Sequence, residues 1–242
     1  MVNRDVPRKK ALGIMVPHAG YTYSGKTAAD VYSRIEIPDT AVILSPNHTG
    51  AGTEFSVWHR GEWQTPLGAV PIDESLSDLL LETGEIFTAD KAAHIREHSI
   101  EVQLPFLQFL RKDIRIVPVT MAARSAPRIL SAGVSLKKAA EKYGKDILVI
   151  ASSDMTHFED ADTAGRKDRL ALENIRSMDP EALLRTVREN NISMCGYGPT
   201  AAMISFCREQ KAEHAEITGY ATSGDVTGDT TSVVGYAGAV LY

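Results

Sequence analysis

The segment Gly13-Ile-Met-Val-Pro-His-Ala-Gly-Tyr-Thr-Tyr-Ser-Gly25 decides how this chain folds. It contains the end of an apolar run, Ala11–Val16, which stops at Pro17, and His18 follows at once. A short, continuous apolar run bounded by turn residues is typical of a strand buried in a parallel sheet. His18 is therefore expected at the carboxyl end of that strand, the edge where ligands bind in open α/β sheets.

Two more apolar runs end in the same way. Ala41–Ser45 is followed by Pro-Asn-His48, and Ile147–Ala151 is followed by a polar segment that holds Asp154 and His157. If the three strands are parallel neighbours, their carboxyl ends meet at one edge of the sheet. The sequence therefore predicts three histidines at a shared rim.

The rest of the chain has the pattern of an α/β protein. Arg115–Thr120 is a fourth core strand, and Glu213–Ser223 and Ser232–Leu241 are two closing strands joined by the loop Gly224–Thr231. Short pieces between residues 54 and 72 predict an antiparallel excursion or edge hairpin, and Ile86–Thr88 predicts a short edge strand. Apolar spacing and capping residues predict helices at about Ser24–Ile35, Asp73–Gly84, Glu97–Leu107, Ala126–Tyr143, Asp162–Ser177, Pro180–Glu189 and Thr200–Gln210.

Strands that alternate with helices imply parallel pairing with crossover helices on the sheet faces. We therefore expect a three-layer α/β/α fold with a mainly parallel central sheet, in one domain over residues 1–242. Pro105, inside the predicted helix at 97–107, should kink that helix or mark a later start.

Composition narrows the function classes. The chain has 242 residues, 43% hydrophobic and 24% charged, with a net charge of −5, so it is long enough for a full core. The one basic cluster, Arg8-Lys9-Lys10, is too short to predict a nucleic-acid partner. The longest apolar runs are far short of a membrane span, and the first ten residues have no apolar core of the kind that a signal peptide needs. We therefore expect a cytoplasmic protein without a membrane partner. The two cysteines make no disulfide framework.

His18, His48 and Cys195 are the candidate metal ligands. Neutral imidazole is the commonest protein metal ligand, and the matching strand-end positions of the two histidines favour ligation over two independent turn caps. Cys195 precedes a predicted helix, where a thiolate would suit zinc, copper or iron. The alternative for a lone cysteine is a small buried hydrophobe, and we assign Cys207 to that class.

Asp154 and His157 are three residues apart, which suits a carboxylate that orients an imidazole acting as general base. The equal alternative is an Asp that caps the next helix beside an uninvolved His. Glu97 and His98 belong to an ionisable patch in which the Glu fits a helix cap and the His could line the site. We expect no role for the remaining histidines, which lie in polar stretches that we predict to be exposed: His59, His94 and His214.

Six motifs occur in order along nearly the whole chain: Pro17–Gly25, Ser45–His48, Thr65–Gly68, Glu97–Glu101, Ser152–Asp154 with His157, and Cys195-Gly196. The set resembles the Memo family, whose prokaryotic members are called AmmeMemoRadiSam system protein B. That resemblance implies a fold similar to the class III extradiol dioxygenases, which are non-haem iron enzymes. It places metal ligands at His18, His48 and Cys195, a catalytic base at His157 and its neighbour at Asp154.

In those dioxygenases the third iron ligand is a carboxylate, so a cysteine there changes the charge and redox behaviour of the metal. The expected cofactor is a metal ion, iron or copper, with zinc as a further option. Three functions stay open: a metalloenzyme with redox or dioxygenase-like chemistry, a non-catalytic module that binds a peptide or small molecule, and a copper- or iron-handling protein. The expected pocket residues are Tyr21, Tyr23, Glu97, His98 and Tyr197. The sequence predicts neither a substrate nor an oligomeric state.

Overall fold

A computed structural model describes residues 1–3, 5–83 and 86–242; Gly84, the predicted end of the second helix, lies outside them. The strands are β1 Gly13–Val16, β2 Thr40–Pro46, β3 Phe55–Val57, β4 Glu62–Thr65, β5 Gly68–Pro71, β6 Thr88–Ala89, β7 Arg115–Met121, β8 Ile147–Ser152, β9 His157–Glu159, β10 Ala215–Thr222 and β11 Val233–Leu241. The helices are α1 Tyr21–Ser33, α2 Glu74–Glu82, α3 Leu104–Leu110, α4 Ala126–Tyr143, α5 Ala161–Arg176, α6 Pro180–Glu189, α7 Tyr197–Glu209 and α8 Gly224–Thr227.

The central sheet has the strand order β10-β11-β1-β8-β2-β7-β3-β6, and β9 pairs with β11. The four predicted core strands are adjacent in it, and β1, β8, β2 and β7 all pair in parallel. The two closing strands form an antiparallel pair that joins the sheet beside β1. The prediction of a mainly parallel core built from these four runs is confirmed.

Alternate side chains of the core strands pack on opposite faces of the sheet, as the twofold strand period requires. Ile14 and Val16 face α1 and α3, whereas Met15 faces the layer that contains α2 and α4–α7. Because helices cover both faces of the sheet, the central strands are apolar throughout. The structure confirms the three-layer α/β/α fold.

Several helix ends follow the signals in the sequence. The Asp73 side chain accepts the backbone N–H of Leu76 at the start of α2, and Asp179 caps α6 ahead of Pro180. At the end of α4, Gly144 has a φ of 69°, a left-handed conformation that favours glycine. The predicted bounds of α4 and α6 are confirmed.

The predicted helix Glu97–Leu107 is wrong in its first half. Residues 97 and 98 have no regular secondary structure, residues 99 and 100 form a turn, Glu101–Gln103 is one turn of 3₁₀ helix, and the α-helix begins at Leu104. Pro105 lies in the first turn of α3, where its missing N–H costs nothing, so it marks the later start rather than a kink. The turns before it wrap around the Glu97 carboxylate, which takes up their backbone N–H groups.

The predicted antiparallel excursion divides between two sheets. β3 joins the main sheet antiparallel to β7, with β6 at its outer edge, whereas β4 and β5 form a separate hairpin. α1 begins at Tyr21 and α7 at Tyr197, each three residues earlier than predicted, and the loop after β10 contains the single turn α8. No helix in the described part of the chain is long and apolar enough to cross a membrane.

Candidate metal centre

The carboxyl ends of β1, β8 and β2 meet at one edge of the sheet, because Val16 pairs with Ser152 and Leu44 pairs with Ala151. His18 leaves β1 at this edge, and His48 leaves β2. Cys195 comes from the other side, in the turn that leads into α7. The ligating atoms of these three side chains lie within 4.8 Å of one another, and the Cys195 Sγ is 3.3 Å from His18 Nε2.

The tautomer of His18 is fixed by Ser152. The Ser152 hydroxyl donates its one proton to the carbonyl of Ser99 at 2.7 Å, so it can only accept from the His18 Nδ1 at 2.9 Å. Nδ1 therefore carries the proton, and the lone pair of Nε2 points at Cys195. A neutral imidazole in this tautomer is ready to bind a metal through Nε2.

Gln103 helps to fix the position of the Ser152 hydroxyl behind His18. Its amide nitrogen donates to the carbonyl of Pro17 and to the Ser152 hydroxyl, both at 3.0 Å. Its oxygen accepts the Tyr32 hydroxyl at 3.0 Å, which settles the orientation of the amide. All of these groups are buried, so each hydrogen bond also prevents the cost of an unpaired polar atom.

His48 is held in the same tautomer by Glu97. The Nδ1–H donates to the Glu97 carboxylate at 2.9 Å, and the His48 backbone N–H donates to the other oxygen at 2.7 Å. The carboxylate also accepts the Ser99 hydroxyl at 2.6 Å and the backbone N–H groups of His98 and Ser99. Nε2 of His48 is thus the ring nitrogen available as a ligand.

Electrostatics favour uncharged donors at His18 and Cys195. Burial is the main reason that the pKa of His18 falls to about 4, although Asp154 works against that shift. Burial, reinforced by Asp154, raises the pKa of the Cys195 thiol well above its ordinary value. Metal binding removes the thiol proton. A metal ion at this position would therefore supply the positive charge that stabilises the Cys195 thiolate, which the protein alone does not supply.

The acidic partner of His48 behaves differently. Burial alone would raise the pKa of Glu97, but the hydrogen bonds from His48 and Ser99 outweigh it and hold the pKa at about 2. The Glu97 hydrogen bond in turn raises the pKa of His48. In metal sites a buried carboxylate commonly accepts the far ring N–H of a ligating histidine and so fixes the orientation of its ring.

Asp154 lies beside the three donors. Its carboxylate accepts the backbone N–H groups of His18 and Ala19 at 2.8 and 3.3 Å, and its second oxygen is 4.0 Å from His18 Nε2. Its own backbone N–H donates to the Cys195 sulfur at 3.2 Å. Asp154 therefore fixes both the His18 segment and the Cys195 segment.

His157 is not oriented by Asp154, contrary to the predicted pairing. Its backbone N–H donates to the Ser193 hydroxyl at 2.7 Å, and its ring Nδ1–H donates to the Ser193 carbonyl at 2.9 Å. The Asp154 carboxylate instead accepts the backbone N–H groups of His18 and Ala19. Nε2 of His157 has no partner among the described residues, and the role of this histidine as a base stays a prediction.

The predicted pocket residues fall into two groups. His98 stacks on His48 with 5.2 Å between ring centroids and lies edge-on to His18 at 5.5 Å, so it borders the donors. Tyr197 shares a cavity of about 270 Å³ with Cys195. By contrast, Tyr21 donates its hydroxyl to the Val102 carbonyl and lines an apolar pocket with Phe106.

Tyr23 is 43% exposed, and Glu97 is buried behind His48 rather than in the wall of an open pocket. His94, predicted to be exposed, is instead 3% exposed. Its ring bonds to the Ser56 carbonyl and to the Thr120 hydroxyl, and it packs edge-on to two tryptophans.

The residues that sequence reasoning missed are Ser99, Gln103 and Ser152. They are neutral and carry no metal or acid–base signature, and they act only through the atoms that they place behind the histidines. The one available signal was Ser152 at the end of a predicted strand, next to Asp154.

Comparison with known proteins agrees with the motif set. A family model described as Memo-like protein matches residues 1–240. A MEMO1 family protein of Methanobrevibacter smithii is 44% identical over 233 residues, covering 95% of this chain and 83% of the relative. One from Ignicoccus hospitalis is 46% identical over 238 residues, covering 96% and 83%.

A solved structure, of an uncharacterized protein from Escherichia coli K12, aligns with 96% of this chain and 100% of its own. The TM-score is 0.62 at 15% sequence identity, which indicates a shared fold.

Proposed function

The chain belongs to the Memo-like family, and we propose that it binds a transition-metal ion between His18, His48 and Cys195 and uses it in redox chemistry on a small molecule. The observation that carries this proposal is the protonation pattern of the two histidines. Each Nδ1–H is held by a buried acceptor, so both Nε2 lone pairs are left for a ligand beside the thiol. We further propose that the redox chemistry is dioxygenase-like.

The donor set fits a transition metal. Two imidazole nitrogens and a thiolate suit iron, copper or zinc. Donors at about 2.0–2.3 Å from one ion lie at most about 4.6 Å apart. The three ligating atoms, all within 4.8 Å, need only small side-chain movements to meet that limit. Iron or copper held here would supply a Lewis acid and a redox centre.

The arrangement supports catalysis better than a structural site. Three protein donors leave a coordination position open, as catalytic sites do, whereas structural sites are closed by four. The His48 side chain is 36% exposed, so the open side faces solvent. His157 offers an imidazole whose Nε2 can take a proton from a bound molecule, and the Ser193 carbonyl would stabilise the protonated ring.

Metal handling is a second candidate. It is favoured by the exposure of the His48 and His98 side chains, 36% and 55%, because an ion at an accessible rim can be passed to another molecule. A non-catalytic module that binds a peptide or small molecule would use the same cleft.

Anaerobic reconstitution with iron, copper or zinc, followed by element analysis and an oxygen-uptake screen on catechols, separates these functions. We expect one ion per chain, retained on desalting, and oxygen uptake with at least one catechol. His18→Ala should lose the ion. Tight metal without turnover would contradict the redox proposal and favour metal handling, and a chain that takes up no metal would contradict both.

A further inference from the structure

A cavity of about 590 Å³ lies between the start of α4, the helix α6 and the start of α7. Three arginines line it, and we call it the arginine pocket: Arg124, Arg185 and Arg188. Arg185 and Arg188 are three residues apart on α6 and so project from the same side of the helix. Arg124 lies two residues before the start of α4 and lines the same cavity. The pocket therefore concentrates positive charge in a chain whose net charge is −5.

These charges are not used in the fold. None of the three guanidinium groups has an ion-pair or side-chain hydrogen-bond partner among the described residues, whereas Arg60 and Arg128 are paired with carboxylates at 2.8 and 2.7 Å. The one acidic residue in the lining, Glu181, is 3.4 Å from Arg208. All three arginines are exposed at the cavity, so their guanidinium groups are available to an anion that enters it.

Backbone N–H groups at two helix starts add to the positive potential of the arginine pocket. Ala126, the first residue of the 18-residue helix α4, lines the pocket, and Ser125 makes no side-chain capping bond there. Tyr197, the first residue of α7, lines it too, and α7 also lacks a side-chain cap. Uncapped N–H groups and the positive end of a helix dipole favour an anion.

The arginine pocket adjoins the candidate metal centre. Arg124 and Tyr197 also line the cavity of about 270 Å³ that contains Cys195. The two cavities thus share two lining residues and lie side by side, one against α6 and the other against the thiol. A molecule held by an anionic group among the arginines would have Cys195 in the adjoining cavity.

We propose that the arginine pocket binds the phosphoryl group of a small-molecule phosphate, and that this holds the rest of the molecule toward Cys195. The second half of this proposal rests on the proposed metal function. A phosphoryl group fits better than a single carboxylate, because it carries up to about two negative charges and three acceptor oxygens for the planar guanidinium groups. Binding of the phosphoryl group itself needs no metal.

The test uses inorganic pyrophosphate and the metal-stripped full chain, freed of chelator, in titration calorimetry. We expect saturable binding at one site per chain. Arg185→Gln/Arg188→Gln should weaken it by at least about tenfold, because each charged hydrogen bond contributes at that level. The control Arg166→Gln/Arg176→Gln removes the same charge from exposed positions on α5 and should stay close to wild type.

Three results would overturn the proposal: no binding to the wild type, an equal loss in both double variants, or citrate binding as tightly as pyrophosphate, which would exclude phosphoryl selectivity. Metal content after reconstitution is measured in the same variants. The pocket variant should retain its metal, whereas His18→Ala should lose metal and still bind pyrophosphate. Failure of the metal site therefore leaves the pyrophosphate result intact, and the two proposals fail separately.

Discussion

At the residue scale, the three histidines that the sequence predicts at the rim differ in what holds their rings. The His18 Nδ1–H donates to Ser152 and the His48 Nδ1–H donates to Glu97, so the tautomer and orientation of each ring are fixed. His157 bonds to a backbone carbonyl at a half-exposed position and keeps Nε2 free. This difference is the reason that we propose ligation for the first two and proton transfer for the third.

We expect His157→Ala to retain most of the metal and to lose turnover by about two to four orders of magnitude, the usual contribution of a general base. The physical reason is that the base must reach the substrate rather than the ion. Metal content by element analysis and turnover in the oxygen-uptake assay are measured on one preparation, with His18→Ala beside it. If His157→Ala empties the site as completely as His18→Ala does, His157 is a ligand.

The two cysteines provide a matched pair for the thiol. Cys195 is partly exposed beside His18, whereas Cys207 is buried in α7 against Met203. Cys195→Ser should reduce bound metal sharply, because a hydroxyl replaces the soft thiolate. Cys207→Ala should leave metal content unchanged and cost about 1 kcal/mol or more of the free energy of unfolding through lost packing. Loss of metal in the Cys207 variant alone would mean that the wrong thiol has been chosen.

At the scale of elements, the site depends on how closely the start of α7 approaches the end of β8. A Cβ added at Gly196 would lie 2.4 Å from the Ser152 carbonyl oxygen and 2.5 Å from the Ser153 Cβ. The Gly196 backbone N–H donates to the Ser153 hydroxyl at 3.0 Å. Glycine is needed here for close backbone approach, which places Cys195 next to His18.

Gly196→Ala should therefore push α7 away from β8, lower metal content and destabilise the fold by about 1–3 kcal/mol, as overpacking of a tight contact does. The corresponding fall in Tm is roughly 2–12 °C for a chain of this size. Thermal unfolding and element analysis measure the two effects.

Gly198→Ala is the matched control, two residues further on. Its added Cβ would meet no atom closer than 3.5 Å, the Ile129 Cδ1, so it should keep both Tm and metal. Equal behaviour of the two variants would show that close approach at Gly196 does not position the thiol.

At the scale of the whole molecule, the sequence predicts the central parallel strands better than the strands that flank them. Buried parallel strands such as β2 and β8 are apolar throughout because helices cover both faces, which makes them recognisable from one sequence. The position of β3 and the antiparallel place of β11 beside β1 depend on tertiary pairing that leaves no local pattern.

The residues of the candidate site also fall into those that the sequence reveals and those that it does not. His18, His48 and Cys195 have side chains that signal metal binding, and two of them follow recognisable strands. Gln103 and Ser152 act through hydrogen-bond geometry, which exists only after the chain folds. The 3₁₀ turn at Glu101–Gln103 replaces the predicted helix because the preceding N–H groups are taken by the Glu97 carboxylate.

The buried His94 makes the stability of the whole molecule depend on pH. Burial lowers the pKa of His94 from 6.5 to about 4, although Asp90 and Glu97 favour its protonated form. Since the unfolded chain protonates this histidine near pH 6.5, the unfolded state binds more protons between pH 6.5 and 4, and stability falls as pH falls through that window. The full loss is about 3 kcal/mol.

We therefore expect His94→Gln to flatten the dependence of the free energy of unfolding on pH between 6.5 and 4, because glutamine does not titrate. Denaturant unfolding of the metal-free chain at several pH values measures it. His18, whose pKa is also about 4, titrates in the same window, so the test is the difference between the variant and the wild type rather than the slope of either. The exposed His214→Gln is the control and should follow the wild type. If the curves of His94→Gln and the wild type stay parallel down to pH 4, burial of a neutral imidazole at this position does not contribute to the acid sensitivity of the fold.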